Sequence, residues 1–148
     1  ALNEIRQLSA SVRPPEFTTI TLREAVDQLI CSIQRIKNYA FSVRLEELNE
    51  EALNEQHKLM MYRVIQEQVS NIVRYADAQN IEIQAASDGD LVKLTVSDDG
   101  KGFEPTAISG GIGLRNIQGR LQIYSGFMRV DTSPGKGCRL YAQFTINS

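Results

Sequence analysis

The sequence predicts an α+β fold, a two-layer sandwich in which helices cover one face of a mixed or antiparallel sheet. Segments with apolar residues at helical spacing are interspersed with segments that alternate apolar and polar residues, as strands do. The order is helix, strand, long helix, two hairpin strands, a glycine-rich loop, helix and two more strands. Strands paired as hairpins together with three helices indicate helices packed on one side of a sheet.

The composition indicates one globular domain, or one domain with a short appendage. Of the 148 residues, 42% are apolar and 23% are charged, which is ordinary for a protein with a packed core. The formal net charge of −2 lacks the basic excess typical of nucleic-acid-binding proteins. No apolar run approaches the roughly eighteen residues of a membrane span, and the opening ALNEIRQL is not a signal peptide.

The start of the chain and its cysteines bear on its origin. We expect a fragment of a longer protein, because Ala1 is not an initiator methionine and falls inside a helical pattern.

The two cysteines bear on the compartment: Cys31 lies on a helix face and Cys138 in a strand, and the chain has one histidine and no C-x-x-C motif. This indicates neither a zinc site nor a disulfide framework, so we expect a reducing compartment, the cytoplasm.

The first helix is predicted by an apolar stripe that Pro14 and Pro15 end, formed by Leu2, Ile5, Leu8 and Val12. We interpret it as the tail of a helix whose partners lie elsewhere; the alternative is a first helix packed on its own domain. The T-x-x-E capping box of Thr21 and Glu24 begins the next helix, which Asn38 ends. Its buried face is Leu22, Val26, Leu29, Ile33 and Ile36, and a strand with Phe41, Val43 and Leu45 on one side follows.

The longest helix is predicted from about Gln56 to Ala76. Its apolar face comprises Met61, Ile65, Val69, Ile72, Val73 and Ala76. Glu67 and Asn71 are four residues apart and project together from the opposite side, flanked by Arg63 and Arg74. The ordinary interpretation is a solvated polar stripe, although asparagine is an indifferent helix former and its position is a mild sign of use.

A hairpin follows, with strands at Ile81–Ala86 and Leu91–Asp98 joined across Ser87-Asp88-Gly89-Asp90. In the second strand Asp98 falls on the same inward face as the apolar residues Val92, Leu94 and Val96. A carboxylate on an apolar face is costly unless it is hydrogen-bonded, so Asp98 beside a glycine loop indicates a polar ligand. A capping or turn role is the alternative.

Two glycine clusters lie seven residues apart, D-D-G-K-G at 98–102 and G-G-I-G-L at 110–114. Glycine suits positive φ angles and close approach of the backbone to a ligand. The helix that begins near Ile112 offers free N–H groups and its dipole to an anion, so the pattern predicts a nucleotide site. The buried face of that helix is Leu114, Ile117, Leu121 and Tyr124. Gly126 ends it, and strands at Phe127–Thr132 and Cys138–Ile146 complete the chain.

Three other glycine motifs are excluded. Each Gly-Lys pair is followed by glycine rather than serine or threonine, so there is no Walker P-loop. Gly111-Ile112-Gly113 lacks the third glycine of a Rossmann fingerprint, because Asn116 occupies its place. A protein-kinase glycine loop would need a much larger chain and an H-R-D motif.

The remaining motifs resemble the ATP-binding domain of sensor histidine kinases, within the gyrase, Hsp90, histidine kinase and MutL superfamily. They are QEQVSNIVRYADAQNIEI at 66–83, DDGKGF at 98–103, GGIGLRNIQGR at 110–120 and SPGKG at 133–137. The pattern is most similar to the nitrate-sensor and degradation-sensor group, whose ATP lid is very short. The opening EIRQLSASVRPPEF also resembles the end of that group's second dimerisation helix. The resemblance covers nearly the whole chain and implies the Bergerat-type ATP-binding fold.

Carried onto this sequence, the resemblance implies a site for ATP and Mg²⁺. Asn71 would bind the magnesium ion, and Glu67 would hold a magnesium-bound water or act as the catalytic base. Asp98 would accept a hydrogen bond from the adenine amino group, with Gly100 and Gly102 letting the backbone pass close to the base. Residues 104–109 would form the lid. The further ATP-binding positions are Arg74, Tyr75, Gly111, Gly113, Leu114 and Cys138.

Two positions depart from the family pattern. The family often has Lys-His where this chain has Arg74-Tyr75, and Gly-Thr where this chain has Gly137-Cys138. Cys138 points inward by strand parity, so a weakly donating thiol replaces the usual hydroxyl near the adenine. Neither change affects Glu67, Asn71 or Asp98, so we expect ATP binding to survive.

The resemblance therefore implies the catalytic domain of a two-component sensor histidine kinase. Residues 1–19 would be the end of the dimerisation helix and a linker, and residues 20–148 the catalytic domain. Its partners would be its own phosphoacceptor domain, a response regulator and a second copy in a homodimer, but no nucleic acid. His57 is the single histidine and is not expected to be the acceptor. The alternatives are a degenerate regulatory nucleotide- or protein-binding module, given Tyr75 and Cys138, and an anti-sigma-type serine kinase, against which the dimerisation-helix ending argues.

Overall fold

The computed structural model describes residues 15–102 and 112–147, apart from the side chains of residues 112–114 and 116. These residues form three α-helices, α1 (Leu22–Gln34), α2 (Glu55–Asn71) and α3 (Ile112–Ile123). They also form five strands, β1 (Ala40–Glu47), β2 (Asn80–Asp88), β3 (Leu91–Asp98), β4 (Phe127–Thr132) and β5 (Cys138–Thr145). The helix predicted over 2–12, the lid at 104–109 and Gly111 lie outside the described residues.

The strands form one mixed sheet in the order β1-β2-β3-β5-β4. β1 and β2 are parallel because α2 connects them as a crossover, whereas all other neighbours are antiparallel. β2 and β3 are joined by the two-residue loop Gly89-Asp90, in which Gly89 has φ of +59°. The predicted α+β fold with a mixed sheet is confirmed.

The core lies between one face of the sheet and the helices. From the sheet it contains Ile81, Ile83, Ala85, Val92, Leu94, Val96, Leu140, Ala142 and Phe144, and from the helices Leu22, Val26, Leu29, Ile33, Met61, Ile65, Val69 and Leu121. The helix residues in this set, together with Val92, Leu94 and Val96, were assigned to a buried face by their periodicity. Each large apolar side chain buried here stabilises the fold by about 1.5–3 kcal/mol.

The limits of α1 agree with the prediction at one end and not at the other. Thr21 caps its beginning, because the Thr21 hydroxyl oxygen accepts a hydrogen bond from the Glu24 N–H at 3.1 Å. The helix ends at Gln34, so the predicted end at Asn38 is wrong. A local contact follows the end of the helix: the Gln34 amide donates to the Tyr39 carbonyl oxygen at 2.7 Å and accepts from the Tyr39 N–H at 3.0 Å.

The end of the long helix also differs from the prediction. Regular α-helix stops at Asn71, and residues Ile72–Ala76 form a wider π turn rather than the predicted α-helix. Asp77, which has a left-handed conformation with φ of 51°, then ends the segment. Hydrophobic periodicity does not distinguish this turn from continuing α-helix, since Ile72 and Ala76 are buried in both.

Phe17 shows where the chain joins the packed domain. This buried side chain contacts Tyr62 of α2 edge to face, with the ring centroids 6.3 Å apart. The residue lies inside the predicted linker of residues 1–19, and the division at residue 19 remains a prediction. None of the described helices is long and apolar enough to cross a membrane.

His57 is part of the structure of the α2 N-terminus. Its Nδ1 accepts a hydrogen bond from the Asn54 N–H at 3.1 Å, and the Asn54 side chain accepts from the His57 N–H at 2.9 Å. The imidazole is 4% exposed and contacts the rings of Tyr124 and Phe144. Burial lowers the pKa of His57 from its ordinary value of 6.5, so the folded protein holds a neutral imidazole.

We expect the stability of the chain to fall as the pH is lowered through 6.5. The unfolded chain binds a proton at His57 more readily than the folded chain does, so acid favours unfolding. His57→Gln removes this titration and keeps a side-chain oxygen that can accept from the Asn54 N–H. Urea unfolding at pH 7.5 and 5.5 measures both proteins. An equal loss of stability at pH 5.5 in the variant would show that other groups cause it.

Candidate functional site

Asp98 lies at the end of β3, beside the first residue of β5. Its Oδ1 accepts a hydrogen bond from the Gly100 N–H at 2.8 Å, whereas its Oδ2 is buried and has no hydrogen-bond partner. Burial raises the pKa of the Asp98 carboxyl above its ordinary value of 3.8, although the Gly100 hydrogen bond acts in the opposite direction. A buried carboxylate oxygen without a donor is costly, and a ligand N–H would satisfy it. The predicted inward orientation of Asp98 is therefore confirmed.

The neighbouring Asp99 has a different environment. Its Oδ1 accepts from the Gln79 and Asn80 N–H groups at 2.9 Å each, and its Oδ2 accepts from the Asn80 side-chain amide at 2.6 Å. These bonds lower the pKa of Asp99 to about 2. Asp99 therefore holds the start of β2, and of the two consecutive aspartates only Asp98 retains an unpaired oxygen in the described structure.

The glycines after Asp98 are required by close backbone packing. A Cβ on Gly100 would overlap the carbonyl oxygen of Ala76, which also accepts from the Lys101 N–H at 2.8 Å. Gly102 has φ of +65°, and a Cβ there would overlap the Ser133 carbonyl oxygen. These contacts are with the protein itself, a reason for both glycines that the sequence did not reveal. These contacts hold the 98–102 turn between the π turn that follows α2 and the 133–137 turn.

Cys138 is paired with Asp98 in the β3–β5 register and is buried, as strand parity predicts. Burial, together with the nearby charge of Asp98, raises the pKa of the thiol to about 11, so Cys138 is protonated at neutral pH. Its Sγ accepts a hydrogen bond from Gln68 Nε2 at 3.5 Å. Sequence reasoning missed Gln68. The available signal was a polar residue inside an apolar stripe, three residues after Ile65 and four before Ile72.

Glu67 and Asn71 lie on the side of α2 that faces away from the sheet core. Both are half-buried, one helical turn apart, as their spacing predicts. Within the described residues, neither side chain makes a hydrogen bond or ion pair, which leaves one carboxylate and one amide oxygen available. No group of three or more histidine, cysteine, aspartate or glutamate residues suited to a metal occurs in 15–102 and 112–147. An amide and a carboxylate fit Mg²⁺, which prefers oxygen ligands and retains several waters.

The other predicted site residues that the structure describes lie in two further segments. Arg74 and Tyr75 are in the π turn, and both are exposed, Tyr75 by 60%. Gly113 and Leu114 are in the first turn of α3, which begins at Ile112 as predicted. Two contacts connect this region with the surroundings of Asp98: Gln68 of α2 bonds to Cys138, the register partner of Asp98, and Ala76 of the π turn packs on Gly100. The assignment of these residues to a ligand remains a prediction.

Comparison with known proteins gives the family. Residues 56–147 match the family described as histidine kinase-, DNA gyrase B-, and HSP90-like ATPases. The chain is 27% identical over 131 residues to the Salmonella typhimurium signal transduction histidine-protein kinase/phosphatase UhpB. It is 30% identical over 137 residues to the Rhizobium johnstonii sensor histidine kinase MctS. These alignments cover 88% and 90% of this chain but only 26% and 30% of the two relatives.

Solved structures of histidine kinases share the fold. The histidine kinase domain of the Erythrobacter litoralis EL346 blue-light activated kinase superposes with a TM-score of 0.69 at 16% identity, covering 84% of this chain and 65% of that one. The Acinetobacter baumannii histidine kinase AdeS gives 0.65 at 14% identity, covering 99% and 76%. This chain therefore belongs to the family of histidine kinase-, DNA gyrase B-, and HSP90-like ATPases, and the relatives named here are histidine kinases.

Proposed function

We propose that the chain is the catalytic, ATP-binding domain of a two-component sensor histidine kinase. The observation that carries this proposal is the buried, unpaired Oδ2 of Asp98 at the end of β3. The exocyclic amino group of adenine is a donor that would satisfy this oxygen, whereas the carbonyl oxygen of guanine at that position would face a carboxylate. Family membership and the sensor kinase relatives support the same function.

The phosphate end of the nucleotide belongs to α2 and its π turn in this proposal. Asn71 would hold Mg²⁺, with Glu67 contributing through a water, and the ion would supply positive charge to neutralise the phosphates. The exposed guanidinium of Arg74 attracts the phosphates, and Tyr75 lies beside it. As the resemblance implies, Gly111 and Gly113 would be the phosphate-side hinge of the lid and Leu114 a further ATP-binding residue, beside the N–H groups of the α3 N-terminus. Cys138 lines the base end.

The reaction proposed is transfer of the γ-phosphate to a histidine that this chain does not supply. Phosphoryl transfer depends mostly on positioning and charge neutralisation, which these residues provide. Glu67 accepts a proton from, or orients, the attacking imidazole. The acceptor histidine lies on an upstream dimerisation domain. Residues 1–19 are the end of the helix of that domain and the linker to the catalytic domain. The phosphate then passes from the histidine to a response regulator. We place the domain in the cytoplasm as part of a homodimer.

Asp98→Asn should weaken ADP binding by about 30-fold or more. The amide oxygen of the variant can still accept from the Gly100 N–H, so its N–H₂ group points toward the adenine amino group and cannot accept from it. The loss of one buried hydrogen bond of about 2 kcal/mol corresponds to a factor of about 30 in affinity. Asp99→Asn is the matched control, because its Oδ1 still accepts from Gln79 and Asn80. Calorimetry at millimolar ADP measures all three proteins.

Unchanged affinity in Asp98→Asn would remove Asp98 from the base site. No binding by the unmodified chain at millimolar Mg-ADP would instead favour a degenerate regulatory module over the proposed kinase domain.

Asn71→Leu should abolish the dependence of ADP affinity on Mg²⁺. The substitution keeps the side-chain size but removes the oxygen ligand, while the contacts of the base with Asp98 are unaffected. Titration of ADP with 5 mM Mg²⁺ and with chelator gives the ratio of the two dissociation constants. We expect this ratio to approach about one in the variant, with the magnesium-free affinity unchanged. A ratio that stays at the wild-type value would assign the metal to other residues.

The 148-residue chain should not phosphorylate itself. His57 is its single histidine, is buried, and uses Nδ1 to accept a backbone hydrogen bond. Incubation with γ-labelled ATP, followed by alkaline gel analysis that preserves phosphohistidine, is expected to leave the chain unlabelled. Label on His57 would overturn the upstream position of the acceptor.

A further inference from the structure

Gln68 is a polar residue in the middle of the apolar face of α2. Its side chain is 2% exposed, so its amide group is costly there without a hydrogen bond. The amide nitrogen donates to Cys138 Sγ at 3.5 Å, a bond between α2 and the first residue of β5. A sulfur acceptor is weak, and a Leu or Met at this position would suit the core better. The residue therefore has a use other than packing.

The hydrogen bond continues beyond the thiol. Thr132 is paired with Cys138 in the β4–β5 register. A hydrogen bond between the two side chains acts to lower the pKa of the thiol, against the larger effect of burial. The Thr132 hydroxyl in turn donates to the Gly137 carbonyl oxygen at 2.8 Å. A chain of bonds thus runs from α2 through β5 and β4 to the 133–137 turn.

This chain of bonds ends against the Asp98 turn. Gly137 has φ of +71° and packs so closely on Asp98 that a Cβ would overlap the Asp98 carbonyl oxygen. Cys138 is also the register partner of Asp98. At the other end, Gln68 lies between Glu67 and Asn71 on the helix. The bonds therefore connect the part of α2 that we assign to the metal and phosphates with the strand that we assign to the base.

We propose that Gln68 is a positioning residue for the nucleotide, acting through Cys138 to fix α2 relative to Asp98. A ligand that contacts both α2 and Asp98 binds more tightly when the distance between them is already fixed, because less positional freedom is then lost on binding. A ligand that contacts only the base end does not need it. This inference rests on the proposed function, in which Asp98 and Asn71 bind opposite ends of one nucleotide.

The test compares Mg-ADP, which contacts both ends, with adenosine, which contacts only the base end. Gln68→Met keeps the side-chain length and removes the donor. It should weaken Mg-ADP about fivefold, the effect of one ordinary hydrogen bond, and change adenosine affinity less than twofold. Gln66→Met is the matched control, because Gln66 is also buried on α2 but its amide nitrogen has no partner. Amide NMR shifts at millimolar ligand give both affinities.

A double-mutant cycle shows whether Gln68 acts through the thiol. In a Cys138→Ala background, Gln68→Met should cause no further loss of Mg-ADP affinity. Gln68→Leu also removes the donor, so it provides the test if Gln68→Met does not fold. A merely structural role would lower the melting temperature and weaken both ligands equally, and that result would overturn the inference.

The outcomes separate the two proposals. If the unmodified chain binds neither adenosine nor Mg-ADP, the proposed function is wrong and this inference with it. If it binds both, and Gln68→Met leaves the ratio of the two affinities unchanged, only the positioning role of Gln68 is wrong.

Discussion

The contact between the π turn after α2 and the turn after β3 is the constraint on which the candidate site depends. The Ala76 carbonyl oxygen accepts from the Lys101 N–H and leaves no room for a Cβ on Gly100. On the other side, Gly102 packs on Ser133, and the Gly135 N–H donates to the Lys101 carbonyl oxygen. The 98–102 turn is thus fixed from two directions by backbone contacts.

This fixed turn explains how Asp98 keeps a buried, unpaired oxygen. A carboxylate on a flexible loop would turn toward water, and its pKa would fall back toward the ordinary value. Here Oδ1 is held by the Gly100 N–H and the backbone on both sides is packed, so Oδ2 remains in the interior. The unfavourable burial is local and is offset by the extensive core. An unpaired, buried carboxylate oxygen is unfavourable in the free protein, and a ligand with an N–H donor would remove that unfavourable contribution on binding.

The two departures from the family pattern have different structural consequences. Arg74 and Tyr75 are exposed on the π turn, so their replacement of the usual pair changes the charge and shape of a surface. Cys138 is buried and is part of a hydrogen-bonded chain from Gln68 to the 133–137 turn. The thiol accepts a hydrogen bond from a glutamine on the facing helix. The first departure therefore changes a surface, and the second changes a buried contact between α2 and β5.

The sequence by itself determined which residues face the core and which strand end carries Asp98. Helical and strand periods are local properties, so the α1 and α2 faces, the β2–β3 hairpin and the inward Asp98 all followed from spacing. Only the tertiary structure decided that α1 ends at Gln34, and that the last turn of the long helix widens over Ile72–Ala76. It also decided that Asp99 is structural, that Gly100 and Gly102 are required by protein contacts, and that Gln68 bonds to Cys138. The contacts of Asp99, Gly100, Gly102 and Gln68 join residues far apart in the chain, whose approach no local pattern encodes.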